Sequence, residues 1–295
     1  MRNLNEHNIT DAVVDRFKDT PNPRLKEIMN ALVRHLHAFA RETSLTEAEW
    51  MEGIKFLTAT GQKCDDVRQE FILLSDTLGL SQLVVAQNHS RPVEATEQTV
   101  FGPFHIENPP AKKDGQDIAM GAPGEPCLCV TQVVDQAGKP VPNAVVDVWQ
   151  ADAAGFYDVQ DPTWNRDKMR LRAVFTADAK GELKFWTIKP AAYPIPTDGP
   201  VGAMLTATKR HAMRPGHIHF AVNKPGYDPL ITHVFIDNDE YLDSDAVFGV
   251  RSSCIGNYVR HEAGVAPDGK KMSAPYHTLN YKFVLAPAIV HAKAA

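Results

Sequence analysis

Cys127-Leu128-Cys129-Val130-Thr131-Gln132-Val133-Val134-Asp135, the turn Gln136-Ala137-Gly138-Lys139, and then Ala144-Val145-Val146-Asp147-Val148-Trp149-Gln150 are the stretch on which the fold turns. Both runs are rich in β-branched residues, and a glycine-bearing polar turn lies between them, the pattern of half-buried strands joined without a helix. Runs at 171–176, 183–188, 217–222 and 231–236 have the same texture, and Asp178-Ala179-Lys180-Gly181 is another such turn. Short strands, polar turns and no alternating helices predict a mainly antiparallel β-sandwich. Cys127 and Cys129, two apart, share one face of their strand and read as buried reduced thiols.

Upstream of residue 95 the texture is helical. Leu25, Ile28, Met29, Leu32, Val33, Leu36 and Phe39 recur at helical spacing and predict an amphipathic helix over 23–41. Thr46-Glu47-Ala48-Glu49 is a capping box, opening a helix that carries Trp50, Ile54 and Leu57 and stops near Gly61. A further helix over 67–78 is closed by Gly79, and residues 4–17 are amphipathic too. The expectation is an α+β chain: a helical domain at 1–95, a β-sandwich domain at 96–295, and a frayed Ala-rich tail after Pro287.

With 43% hydrophobic and 23% charged residues, the 295-residue chain is not of the disordered class. A net charge of −5 without a Lys/Arg-rich run leaves no footprint for nucleic acid or an anionic membrane. No apolar run approaches the roughly 18 residues of a spanning helix. Residues 1–8 lack the apolar core of a signal peptide, and four cysteines, Cys64, Cys127, Cys129 and Cys254, are too few for a disulfide framework. A cytoplasmic protein is expected.

The sharpest motif is Arg214-Pro215-Gly216-His217-Ile218-His219-Phe220. On a strand, His217 and His219 point to the same side and can reach one metal. Imidazole suits iron, copper, zinc and nickel alike, so the pair alone does not choose among them, and two half-buried histidines would read the same way. Two tyrosines narrow the chemistry. Gly155-Phe156-Tyr157-Asp158 follows the strand ending in Trp149-Gln150, where a loop is expected to bring Tyr157 to the sandwich rim. Tyr193 opens the proline-stiffened segment Tyr193-Pro194-Ile195-Pro196-Thr197-Asp198-Gly199-Pro200. Phenolate is a hard anionic donor suited to ferric iron, and a highly charged metal holds a phenol ionised far below its free pKa of about 10.

In order and spacing, Gly-x-Tyr at 155–157, Tyr-Pro-x-Pro-x-Asp-Gly-Pro at 193–200 and Arg-Pro-x-His-x-His at 214–219 resemble the intradiol ring-cleaving dioxygenases. The run from Val141 to Tyr157 is similar to the family's signature strand, with Gln132 standing where the family usually has glycine. The likeness spans the β-domain, and the helical region resembles the family's linker domain. It implies an Fe(3+) enzyme of aromatic catabolism that opens a catecholic ring with O2 to a cis,cis-muconate. By the same resemblance Tyr157, Tyr193, His217 and His219 are the iron ligands and Tyr193 is the one displaced by substrate. Arg214 stabilises negative charge on the bound ring. Ferric iron with two phenolates and a hydroxide is formally neutral, and a substrate dianion replacing the hydroxide and Tyr193 preserves that neutrality. The resemblance further implies a homodimer through the N-terminal helices, with room for lipid at the interface.

Segments 71–80, 95–104 and 193–196 are similar to the branch acting on hydroxyquinol (benzene-1,2,4-triol). There, the residues matching Leu73, Asp76, Val100, Phe101, Gly102, Pro103, Ile195, Pro196 and Val247 line the substrate pocket, together with Arg214. Leu73 and Asp76 are three apart on a helix and hence neighbours. If Leu73 reaches the ring, Asp76 accepts a hydrogen bond from a third hydroxyl. The competing readings are cleavage of catechol or chlorocatechol, and a non-catalytic β-sandwich binding module whose histidines are structural. A zinc or copper hydrolase fits the tyrosines poorly, since zinc favours His, Cys and carboxylates.

Overall fold

Five helices precede the sheets: α1 (Ile9–Asp15), α2 (Pro23–Glu42), α3 (Glu47–Gln62), α4 (Glu70–Thr77) and α5 (Leu80–Asn88). The computed structural model describes residues 2–288 apart from 66, 67, 90, 91 and 93, so Val67, the expected start of the fourth helix, and the tail beyond Ala288 lie outside the described residues. Asn22 caps α2 by accepting from Leu25 N at 3.0 Å, with Pro23 in the first turn, where its missing N–H costs nothing. The capping box forms as expected: Glu49 Oε2 accepts from Thr46 N at 2.9 Å, and Thr46 Oγ1 from Glu49 N at 3.3 Å. Gly79 adopts φ 75°, the left-handed conformation that ends α4 before α5 begins.

The chain divides into two compact units, 1–59 and 60–295. In the first, the apolar stripe of α2, comprising Leu25, Ile28, Leu32, Leu36 and Phe39, is about half exposed along its whole length. The division falls short of the change in texture at residue 95 because α4 and α5 pack into the second unit. Buried Glu70 on α4 accepts from Val201 N at the start of α6 (Pro200–Ala207), and Arg210 Nη1 donates to Thr77 O at 2.7 Å.

The strands are β1 (Pro126–Asp135), β2 (Val145–Trp149), β3 (Arg172–Thr176), β4 (Glu182–Ile188), β5 (Tyr193–Pro194), β6 (Met213–Arg214), β7 (His217–Asn223), β8 (Leu230–Ile236), β9 (Ile255–Gly256), β10 (Tyr258–His261), β11 (Gly264–Val265), β12 (Lys271–Met272) and β13 (Tyr276–Leu285). Two main sheets form, in the orders β10-β13-β1-β4 and β3-β2-β7-β8-β9, with two-stranded ribbons β5-β6 and β11-β12. Most pairings are antiparallel; β1 with β13 and β8 with β9 are parallel. The long β13 was not among the expected strands. Gln132, at the position where the resemblance implied glycine, sits in regular ladder register between Lys282 and Glu182.

Alternation sets the core. Cys127, Cys129, Val133, Phe185 and Phe283 from one sheet meet Val146, Val148, Ile218, Phe220 and Val222 from the other, all buried. On β1 the opposite face carries Leu128, packed with Trp186 and Tyr276. On β7 the residues facing away from the core are His217, His219 and Ala221, each buried beneath loops instead.

Candidate active site

The histidines therefore sit on the outer face of the five-stranded sheet, under covering loops. Tyr157, expected at the sandwich rim, meets them there on a loop over that face. The core takes Ile218, Phe220 and Val222, so period-two geometry turns the histidines outward, and burial comes from segments 99–105, 151–160 and 190–199. His219 pairs across the ladder with Trp149 on one side and His233 on the other. The Trp149 ring stacks on His219 at 4.7 Å between centroids and 14° between planes, fixing the imidazole in its plane.

Each tyrosine arrives on a separate loop. Tyr157 is extended, φ −80° and ψ 148°, with its N–H donating to Gln160 Oε1 at 2.8 Å. The next residue, Asp158, is buried in an ion pair with Arg172 on β3, whose Nε lies 3.0 Å from both carboxylate oxygens. Tyr193 lies on β5, paired directly with Arg214 on β6, so a two-residue ribbon sets the second phenol beside the guanidinium. Gly155, φ 87°, lets the loops meet: a Cβ there would stand 2.4 Å from Tyr193 Cβ.

The four donor atoms converge. Tyr157 Oη lies 2.7 Å from His219 Nε2 and 3.1 Å from Tyr193 Oη, His217 Nε2 lies 3.2 Å from His219 Nε2, and Tyr193 Oη lies 3.5 Å from His217 Nε2. Metal–ligand bonds of about 2 Å at near-tetrahedral angles separate the ligand atoms by roughly 3 Å, so these spacings fit a single ion. His217 Nδ1 donates to Pro215 O at 2.7 Å, which leaves the Nε2 lone pair directed into the cluster. Burial, and then the charge of Arg214, pushes the His217 pKa down to about 3, while burial followed by His217 and Arg214 depresses His219 well below its usual value. Both imidazoles are neutral and ready to ligate. Burial, and then Tyr193, pushes the Tyr157 phenol well above its usual range, with Arg214 and Arg172 opposing. A highly charged cation held among these donors would offset that cost and stabilise the phenolate.

Arg214 is buried, with Nε donating to Asp245 Oδ1 at 3.0 Å and Nη1 reaching His217 Nε2 at 3.4 Å. Leu73, Ile195 and Val247 share one apolar cluster with Leu205 and Ala246. Asp76 is buried, and its carboxyl is pushed up by burial against the opposing pull of Ser81 and Arg214, with Asp245 adding to the rise. Gly102, φ 77°, passes close to His219, where a Cβ would stand 3.3 Å from Cε1. Phe101 lies 5.5 Å from the Trp149 ring. Val100 is buried and Pro103 exposed in the same segment, while Pro196 is half-buried beside Ile195.

Three features went unread in the sequence. His233 is a third imidazole of the cluster, its ring 4.2 Å from His219 and its Nδ1 2.5 Å from Thr99 Oγ1. Asp245 and the Arg172–Asp158 pair are the others. Asp158 stands next to the recognised Tyr157, but nothing local marks Arg172, Asp245 or His233, since each finds its partner only through folding.

Donors of this kind on a β-sandwich define a dioxygenase of the ring-cleaving type, and the chain belongs to the intradiol ring-cleavage dioxygenase family: residues 100–287 match the dioxygenase family and 22–96 the catechol dioxygenase N terminus. It is 53% identical to 6-chlorohydroxyquinol 1,2-dioxygenase of Cupriavidus pinatubonensis, over 98% of this chain and 100% of that protein. It is 49% identical to hydroxyquinol 1,2-dioxygenase of Nocardioides simplex, over 96% of each. A solved structure of hydroxyquinol 1,2-dioxygenase from Pseudomonas putida superposes with a TM-score of 0.89 at 51% identity, covering 96% of this chain and 99% of that one.

Proposed function

We propose that this chain cleaves hydroxyquinol between its adjacent hydroxyl-bearing carbons, using O2 and Fe(III), to give 3-hydroxy-cis,cis-muconate, which tautomerises to maleylacetate. The observation that carries the reading is the convergence of Tyr157, Tyr193, His217 and His219, with donor atoms 2.7 to 3.5 Å apart and buried beside Arg214. Relatives named for hydroxyquinol or its chloro derivative, about half identical over nearly the full length, support the choice of substrate.

Those four side chains would hold ferric iron, whose Lewis acidity would draw electron density from a bound catecholic ring and open it to O2. The chain's own groups do the rest. Tyr193 Oη accepts a proton from a substrate hydroxyl. Arg214 Nη1, the guanidinium nitrogen left free by Asp245, donates toward the charge that builds on the ring oxygen. Asp76 accepts from the third hydroxyl, while Leu73, Val100, Phe101, Gly102, Pro103, Ile195, Pro196 and Val247 wall the ring. Neutral His217 and His219 keep their lone pairs available throughout.

The helical region 1–95 is proposed as the dimerisation domain and 96–295 as the catalytic one, with Leu73 and Asp76 reading substrate from the helical side. The half-exposed stripe of α2 supports a homodimer through these helices, with lipid able to fill the seam. No described helix is long and apolar enough to cross a membrane. Four free cysteines, Cys127 and Cys129 buried in the core, fit a reducing cytoplasm. Mass analysis of the product formed from hydroxyquinol under isotopically labelled O2 tests the reaction. Both labelled atoms in the ring-opened acid support it, and unlabelled product or intact substrate refutes it.

A further inference from the structure

Asp245 holds Arg214 at two of its three nitrogens, Oδ1 accepting from Nε at 3.0 Å and Oδ2 from Nη2 at 3.4 Å. The carboxylate is itself held by the turn that follows it, accepting from Gly249 N at 2.8 Å and Val247 N at 3.3 Å. Gly249 leaves room for this closure: a Cβ there would stand 3.0 Å from Arg214 Nη2 and 3.1 Å from Asp245 Oδ2, so the pair would have to shift to admit it. Both partners of the pair are buried. A second buried carboxylate, Asp76, lies one helical turn from Leu73, which packs against Ala246 and Val247 directly after Asp245, so it stands close enough to feel the charges of Arg214 and Asp245. One guanidinium thus stands among two buried acids, and its rigid fork can commit fully to only one.

We infer that Asp245 is a positioning and specificity residue: it fixes Arg214 so that Nη1 faces the substrate, and it keeps the guanidinium from turning to Asp76. This rests on the roles proposed above for Arg214 and Asp76. With Asp245 taking Nε and Nη2, Nη1 is left 3.4 Å from His217 Nε2, a lone pair that passes to the metal in the loaded enzyme. Nη1 is then free for a substrate oxygen. Asp76, spared the ion pair, keeps an acceptor for a third hydroxyl. Remove the charge of Asp245 and the arginine has one buried carboxylate left, the one that reads the substrate.

The test is steady-state kinetics on the iron-loaded protein with hydroxyquinol and with catechol, in wild type, Asp245→Asn, Arg214→Gln and the double variant, alongside iron content and the visible spectrum. Asp245→Asn is expected to keep iron and colour while losing about 10²-fold in kcat/KM for hydroxyquinol, the scale of a misplaced catalytic group. Catechol loses less, so the ratio between the substrates shrinks. In the Arg214→Gln background, Asp245→Asn is expected to cost nothing further, as for residues that act through one another. Independent, multiplying losses, or an unchanged substrate ratio in Asp245→Asn, would overturn the inference. The double variant removes both buried charges and so escapes the instability of an unpaired one. Arg214→Gln leaves Asp245 the backbone donors Val247 N and Gly249 N, so its comparison with the double variant decides the matter even if Asp245→Asn fails to fold: equal rates support the coupling and a further loss refutes it. Wild-type turnover of hydroxyquinol in the same assay checks the underlying reading separately.

Discussion

Tyr157 and Tyr193 differ in how they are held, and that difference sets their expected behaviour. Tyr157 is locked between the stacked Phe104 ring and its contact with His219, whereas Tyr193 rides on a two-residue ribbon. Tyr157→Phe should therefore lose most of the visible charge-transfer absorption and release iron readily. Tyr193→Phe should retain iron better but turn over slowly, for want of a proton acceptor. Spectra and metal content of the two purified variants check this, and wild-type spectra and turnover in both would contradict it. Asp76→Ala should lower kcat/KM for hydroxyquinol more than for catechol, because only the triol loses a hydrogen bond, a difference of about 1–3 kcal/mol. An unchanged ratio would remove Asp76 from recognition. The four converging donors were legible because they sit in short motifs with unusual residue types. His233 and Asp245 were not, because a lone histidine on β8 and a lone aspartate in a turn carry no local pattern, and their partners lie across the ladder or in another loop.

At the scale of elements, period-two alternation already separated the two faces of β7, and it was right about which residues share a side. It could not say what covers the outer face, since the segments that bury the histidines are distant in sequence. The capping box and Gly79 were readable for the opposite reason: a cap is satisfied within four residues. The missed β13 alternates too, with Leu279, Phe283 and Leu285 in the core and Asn280 and Lys282 between, but its place beside β1 is a parallel pairing that no hairpin turn announces. Because β13 is central to its sheet and Phe283 is fully buried against Phe220, Phe283→Ala should cost about 3–5 kcal/mol in urea unfolding. A loss under roughly 1 kcal/mol would mean the core relaxes around it far more than close packing permits.

For the molecule as a whole, the buried imidazoles tie stability to pH. His217 titrates at about 3 in the folded chain against 6.5 in the unfolded one, and His219 and His233 are depressed in the same sense, by burial first. Between those values the unfolded state binds more protons, so stability falls as pH drops through that window. Asp76, raised by burial, acts oppositely just above 3.8, but one carboxyl stands against four imidazoles, His277 being depressed in the same sense. The iron-free protein should thus melt at a lower temperature at pH about 5 than at neutrality; a flat or inverted dependence would show that the histidines are not held neutral. Sedimentation at micromolar concentration should give a dimer, since an apolar stripe as long as that of α2 stays exposed in a monomer. Selective cleavage of a triol at the tyrosine–histidine centre is measured by kcat/KM of the iron-loaded wild type for hydroxyquinol and for catechol under the same conditions. The prediction is a ratio favouring hydroxyquinol by about tenfold or more; equal values, or a preference for catechol, would contradict it.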